Sequence, residues 1–232
     1  MDFKFPKNKV FKTRYCFQCK KSIDFSEYYI RNKSYPEHRL IQLWENNNLE
    51  FYCCLCYDDF IQNEKLKNLR NSLNDKQQDI LRIIEKRCKI EIPVVLQIDY
   101  DTIGVFIHNG KIKGLSLFKS LKFFPEEITM IRSLEKLNLA WNQLRFLPNS
   151  ITNLISIKEL DLIGNELTSI PEQIGQLNSL VELDLSFNHL QTIPETINNL
   201  SNLRYLNLIH NNIIYIPESI RSLEKKGLKI LL

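Results

Sequence analysis

Glycine is scarce in this 232-residue chain, at six residues, and alanine occurs once, at Ala140. No run of 18 or more apolar residues occurs, so no membrane-spanning helix is expected. The N-terminus, Met1-Asp2-Phe3-Lys4-Phe5-Pro6-Lys7, lacks the apolar stretch of a secretory signal. The expected compartment is therefore cytoplasmic or nuclear, where thiols stay reduced. No Gly-x-x-x-x-Gly-Lys-Ser/Thr loop is present to cradle a phosphate, and neither Gly-x-Ser-x-Gly nor His-Glu-x-x-His occurs. These absences argue against an enzyme and against a small-molecule substrate. Hydrophobic residues at 44% and charged residues at 25% are still ordinary for a folded protein.

The net charge of +4 hides an asymmetry. Residues 1–90 hold 18 Lys/Arg and 12 Asp/Glu, whereas residues 91–232 hold 13 and 15. All six cysteines lie before residue 89. Both shifts point to separate modules. The boundaries expected are a zinc-finger module over 1–62, a helical linker and solenoid cap over 63–111, and repeats over 112–232.

The repeats are plain. Leu134…Leu137-Asn-Leu139…Asn142-Gln-Leu144 recurs as Ile157…Leu160-Asp-Leu162…Asn165-Glu-Leu167. It returns as Leu180…Leu183-Asp-Leu185…Asn188-His-Leu190 and as Leu203…Leu206-Asn-Leu208…Asn211-Asn-Ile213, every 23 residues. A second element keeps step: Leu147-Pro148, Ile170-Pro171, Ile193-Pro194 and Ile216-Pro217. An earlier copy from Leu115 is one residue short and has Ser120 where the others have asparagine, as expected of a terminal repeat. Gly227-Leu228-Lys-Ile230 looks like a last strand after a helical turn.

Each position has a physical task. Leu-x-Leu is a short strand with two side chains pointing inward. The amide of Asn142, Asn165, Asn188 and Asn211 can donate and accept, so a stacked column of them can satisfy buried backbone groups in the turns. Proline ends the strand character and can begin a helical turn. No repeat can bury its apolar face alone, whereas a stack makes one core.

This pattern resembles the leucine-rich-repeat family, most of all its 23-residue intracellular, Ras-suppressor-like class. The resemblance covers residues 112–232. It implies an α/β solenoid of about five repeats with a concave parallel sheet. It also implies that a macromolecular partner binds on that sheet.

Residues alternating with the buried leucines are expected to face outward. One column is Lys136, Glu159, Glu182 and Tyr205, and the next is Asn138, Asp161, Asp184 and Asn207. A third is Ala140, Ile163, Ser186 and Ile209, flanked by Trp141, Gly164, Phe187 and His210. Glu159, Asp161, Glu182 and Asp184 make an acidic centre. Phe118, Trp141, Ile163, Phe187 and Ile209 make an apolar flank, and exposed aromatics beside charge are usual interface anchors. A charged outer face also keeps a solenoid soluble, so the acids have a bland explanation as well. Their sign argues against nucleic acid on this surface.

Cys16-Phe-Gln-Cys19 and Cys53-Cys54-Leu-Cys56 offer two Cys-x-x-Cys pairs, the donor set of one structural zinc ion. Either Cys53 or Cys54 could pair with Cys56, though Cys-x-Cys is the less usual knuckle. Cys54 and Cys88 are expected as packed thiols. His38 is a lesser candidate for the fourth ligand. The module resembles a treble-clef finger, with a zinc ribbon as the alternative. A two-zinc RING domain needs about eight ligands, more than this module holds. Basic residues Lys4, Lys7, Lys9, Lys12 and Arg14 interleave with aromatics here. That mixture makes nucleic-acid binding the alternative function. Between the modules, Asn74 reads as a helix cap with Gln77 three residues on, followed by an apolar stripe to Cys88. Pro93 to Ile107 is expected to form strands, with a turn at Asn109-Gly110. The favoured function is a protein-interaction adaptor or scaffold.

Overall fold

The computed structural model describes residues 14–15, 20–23, 65–99, 101–225 and 227–232. The chain divides into two units, Met1–Lys65 and Leu66–Leu232. In the first, strands β1 (Arg14–Tyr15) and β2 (Ser22–Ile23) pair antiparallel, Arg14 opposite Ile23 and Tyr15 opposite Ser22. The cysteines expected to hold zinc (Cys16, Cys19, Cys53 and Cys56), together with Cys54 and His38, lie outside the described residues.

In the second unit, a helical segment ends at residue 71 and α1 follows over Asp75–Cys88. Asn74 caps α1 by accepting from the Gln77 amide at 2.9 Å. Lys89, at φ 55, closes it. Ile80, Leu81 and Ile84 of α1 are buried in the same core as the repeat leucines. Arg70 ties the preceding segment to this helix, reaching Glu85 at 2.9 Å and the Ile92 carbonyl at 2.5 Å.

The main sheet has eight strands. They are β3 (Val94–Val95), β4 (Ile103–His108), β5 (Lys111–Leu117), β6 (Lys136–Asn138), β7 (Glu159–Asp161), β8 (Glu182–Asp184), β9 (Tyr205–Asn207) and β10 (Lys229–Leu231). They lie side by side in chain order. From β5 to β10 every pairing is parallel. The sheet is not wholly parallel, however. β4 and β5 form an antiparallel hairpin across Asn109-Gly110, where both residues have positive φ. That hairpin straddles residue 111, where the sequence pattern suggested a module boundary.

Each coil repeats one plan. The coil from Ile157 buries Ile157, Leu160, Leu162, Leu167, Ile170, Ile174 and Leu177. Full burial of one such side chain stabilises by roughly 1.5–3 kcal/mol, so apolar area is the main term holding the stacked coils together. The proline opens a five-residue 3₁₀ turn in four coils, over Glu126–Met130, Asn149–Asn153, Glu172–Gln176 and Glu195–Asn199. After Pro217 the turn lengthens into helix α2 (Glu218–Glu224), and Gly227 at φ 97 leads into β10.

The asparagine column links successive coils. Asn165 Nδ2 donates to Leu162 O of its own coil at 3.0 Å and to Leu139 O of the coil before at 2.9 Å. Its Oδ1 accepts from Leu144 N at 3.1 Å. Asn188 does the same for Leu167 N, and Asn211 for Leu190 N, each at 3.0 Å. Asn142 accepts from both Ser120 N and Leu121 N, at 2.8 and 2.7 Å, which absorbs the residue missing from the first coil. Ser120 Oγ meanwhile donates to Leu117 O at 2.8 Å.

Candidate protein-binding face

Parallel register aligns the outward residues into rows. Lys136, Glu159, Glu182 and Tyr205 stand side by side on β6 to β9, all exposed or half-buried. Lys136 pairs with Glu159 at 2.7 Å. Glu182 is exposed and makes no ion pair among the described residues.

The second row is partly structural. Asn138, Asp161, Asp184 and Asn207 each turn Oδ1 back onto the amide two residues on, at 2.9, 3.0, 2.9 and 3.2 Å. Such Asx turns end a strand. Asp184 also accepts from Ser186 Oγ at 2.6 Å and from Asn207 Nδ2 at 2.8 Å. Burial raises the Asp161 carboxyl to about 6, helped by repulsion from Asp184, while the Ile163 amide and Lys136 oppose the rise. Tyr205 is pushed up by burial and by the charges of Asp184 and Glu182.

Two expectations about exposure fail. Asn138 is only 1% exposed. Its Nδ2 donates to the Asp99 carbonyl at 3.2 Å. Beside it, Ser116 Oγ bonds the Thr102 carbonyl. A Cβ on Gly114 would come within 2.7 Å of Ile98 Cγ1. The stretch carrying Ile98, Asp99 and Thr102 thus lies over the outer face of β5 and reaches β6, so the open sheet begins about one strand later than the pattern suggested. In the third row, Ala140 and Ser186 are buried, and Ile163 and Ile209 are half-buried. The turn that closes each strand draws this row inward.

The rim beyond the strands holds what the alternation rule does not describe. Lys119, Trp141, Phe187 and His210 all have left-handed backbone, at φ 51, 57, 55 and 55. Gly164, at φ 65, occupies the same place in its coil. A side chain there costs roughly 1–2 kcal/mol, and glycine avoids that cost. The residues are not core, since Trp141 and Phe187 are 41% and 45% exposed. Their rings meet at 5.7 Å between centroids, and Phe187 meets His210 at 4.2 Å. The ring of Trp141 lies on Gly164, where a Cβ would come within 2.6 Å of it. Of this rim, His210 and Lys119 were not among the residues expected to bind a partner. Phe118, which was, is half-buried, with Lys119 Nζ 5.0 Å from its ring centre.

The stacked coils, leucine core and asparagine column define a leucine-rich-repeat solenoid. Comparison with known proteins agrees. Residues 132–190 match the leucine rich repeat family model, and residues 202–223 match a second leucine rich repeat model. Neither is a catalytic family. The leucine-rich-repeat ectodomain of the receptor kinase SOBIR1 from Arabidopsis thaliana has the same fold. It is 24% identical with a TM-score of 0.54, over 68% of this chain and 92% of that one. A leucine-rich-repeat protein of Leptospira interrogans is 38% identical with a TM-score of 0.47, over 51% of this chain and 30% of its own length. The BIR3–SERK2 complex of A. thaliana matches at 29% identity and a TM-score of 0.48, covering 68% and 86%. No curated protein sequence matches the chain. Among the described residues no helix is long and apolar enough to cross a membrane.

Proposed function

We propose that this protein is an interaction adaptor that binds a protein partner on the open part of its concave sheet. One observation carries the proposal. Glu159, Glu182 and Tyr205 form an accessible row on rigid strands, bordered by exposed aromatic residues that contribute little to the core. Buried or rim aromatics beside charged residues are the common anchors of protein interfaces. The stretch over β5 and helix α1 serve as the cap of the solenoid. Two Cys-x-x-Cys pairs, Cys16/Cys19 and Cys53/Cys56, are the soft donor set for a structural zinc ion, and the β1–β2 strand pair brackets the first of them in sequence. This finger is the second recognition module.

The test is charge reversal on the open row. Glu159→Lys with Glu182→Lys is expected to abolish capture of a bound protein from lysate and to leave thermal unfolding nearly unchanged. Asp161 and Asp184 are left in place because their carboxylates hold backbone turns. An unaltered capture profile rejects the concave site.

A further inference from the structure

The aromatic rim and the acidic rows run alongside each other over the same coils. The rim crosses from Phe118 and Lys119 through Trp141 to Phe187 and His210, with Gly164 leaving room for the indole to bridge a coil. Lys119 Nζ already sits 5.0 Å from the Phe118 ring centre and 5.9 Å from that of Trp141, so the ring faces at this end are held in a geometry that accepts a cation. Beside the rim, strands β6 to β8 present Glu159, Asp161, Glu182 and Asp184 against the single ammonium of Lys136. That ammonium is already paired with Glu159. The acidic rows therefore carry more negative charge than Lys136 neutralises, and Lys119 shows at the Trp141 end that the adjoining rings take a cation.

Trp141 and Phe187 belong to coils two strand spacings apart, yet their ring centroids stand 5.7 Å apart, a distance that about two residues of an extended chain cover.

We propose that the rim and the acidic rows form one track for an extended segment of a basic protein. Its arginine or lysine side chains stack on Trp141 and Phe187 and pair with the carboxylates of β7 and β8. The inference rests on the concave face being a protein-binding surface and adds the chemistry of the partner. A nucleic acid stacking on the same rings is the competing occupant, and the carboxylates disfavour it by repelling phosphate.

The experiment uses the full chain and three labelled probes at low salt. One is a 12-residue Gly/Ser peptide carrying four arginines, one is the same peptide with neutral citrulline at those positions, and one is a 12-nucleotide oligouridylate. The arginine peptide is expected to bind at least about tenfold more tightly than its citrulline twin. Glu182→Gln with Glu159→Gln should weaken it several-fold. Trp141→Gly with Phe187→Gly should weaken it about tenfold, each ring contributing a few-fold. Glycine suits the left-handed backbone at both positions, as Gly164 shows, so an unchanged or raised melting temperature certifies the folded variant. Equal binding of the two peptides overturns the proposal. So does arginine-peptide binding that survives both sets of substitutions, or oligouridylate binding that depends on the same residues. Loss of lysate capture by the charge-reversed row without any arginine preference sinks only the partner chemistry. Capture indifferent to that row sinks the concave face itself.

Discussion

Replacing Asp161 by asparagine is expected to stabilise the protein at neutral pH. The carboxyl is held at about 6 in the fold, against 3.8 ordinarily, chiefly by burial and with repulsion from Asp184 added. A folded value above the unfolded one means the native state prefers the protonated acid. Stability associated with that proton is fully present below 3.8 and is lost as pH rises towards 6. Moving an acid between those values corresponds to about 3 kcal/mol at most, and partial exposure reduces this to roughly 1–2 kcal/mol. Asparagine avoids the cost and keeps the needed acceptor, because Asn138 and Asn207 already make the same bond in the same row. Its amide would face Asp184 much as Asn207 does at 2.8 Å. The assay is chemical denaturation of wild type and Asp161→Asn at pH 7.5 and pH 4. The variant should be the more stable at pH 7.5, with the difference shrinking towards zero at pH 4. A difference independent of pH, or a loss of stability at pH 7.5, refutes the argument. A gain would also imply that the charge is kept for something other than folding.

Other perturbations probe the remaining features. Asn165→Ala strands Leu144 N in the interior, while Leu139 O and Leu162 O keep the amides of Asn142 and Asn188, so at about 1–3 kcal/mol for one unsatisfied buried group it should cost roughly 1–3 kcal/mol by urea denaturation. Asn211→Ala, at a half-buried position, should cost less. Gly164→Ala adds a Cβ at φ 65 against the Trp141 ring; it should cost at least about 1–2 kcal/mol and shift tryptophan fluorescence, and adding Trp141→Gly should recover the steric part. Glu135 is held down to about 2 by hydrogen bonds from Lys113 and Lys158. Its contribution is present above the ordinary 4.5 and lost as pH falls towards 2, so wild type should lose more stability over that interval than Glu135→Gln. Elemental analysis should find about one zinc per chain, falling on Cys16→Ser or Cys53→Ser; metal well below one equivalent removes the finger.

Most of the solenoid can be read from spacing, because a 23-residue period leaves the leucines, prolines and asparagines one geometry that buries them together. The outer face is less legible. Alternation places Asn138 beside Asp161, yet Asn138 is covered by a segment some forty residues earlier in the chain, and periodicity cannot foresee a distant neighbour. A trace of that segment is present in Gly114 and Ser116, small residues where later coils carry long ones. The rim is outside the alternation rule because its backbone leaves the strand. Its sign in sequence is Gly164 among bulky residues just before the asparagines, which marks a place where φ turns positive. The Asx turns had a sign too, since asparagine and aspartate share one row where only their common Oδ1 is needed.

Asparagine bonding runs one way along the stack. The amide of Leu144 is protected by Asn165, which belongs to the following coil. If that coil opens, the Leu144 amide is left without an acceptor inside its own turn. The freed asparagine, by contrast, can swing out to water. Hydrogen exchange at Leu144 should therefore clock the opening of its C-terminal neighbour, and exchange at Leu167 that of the coil holding Asn188. A loss of order is thus handed backwards along the array, and anything clamped across several strands would arrest it.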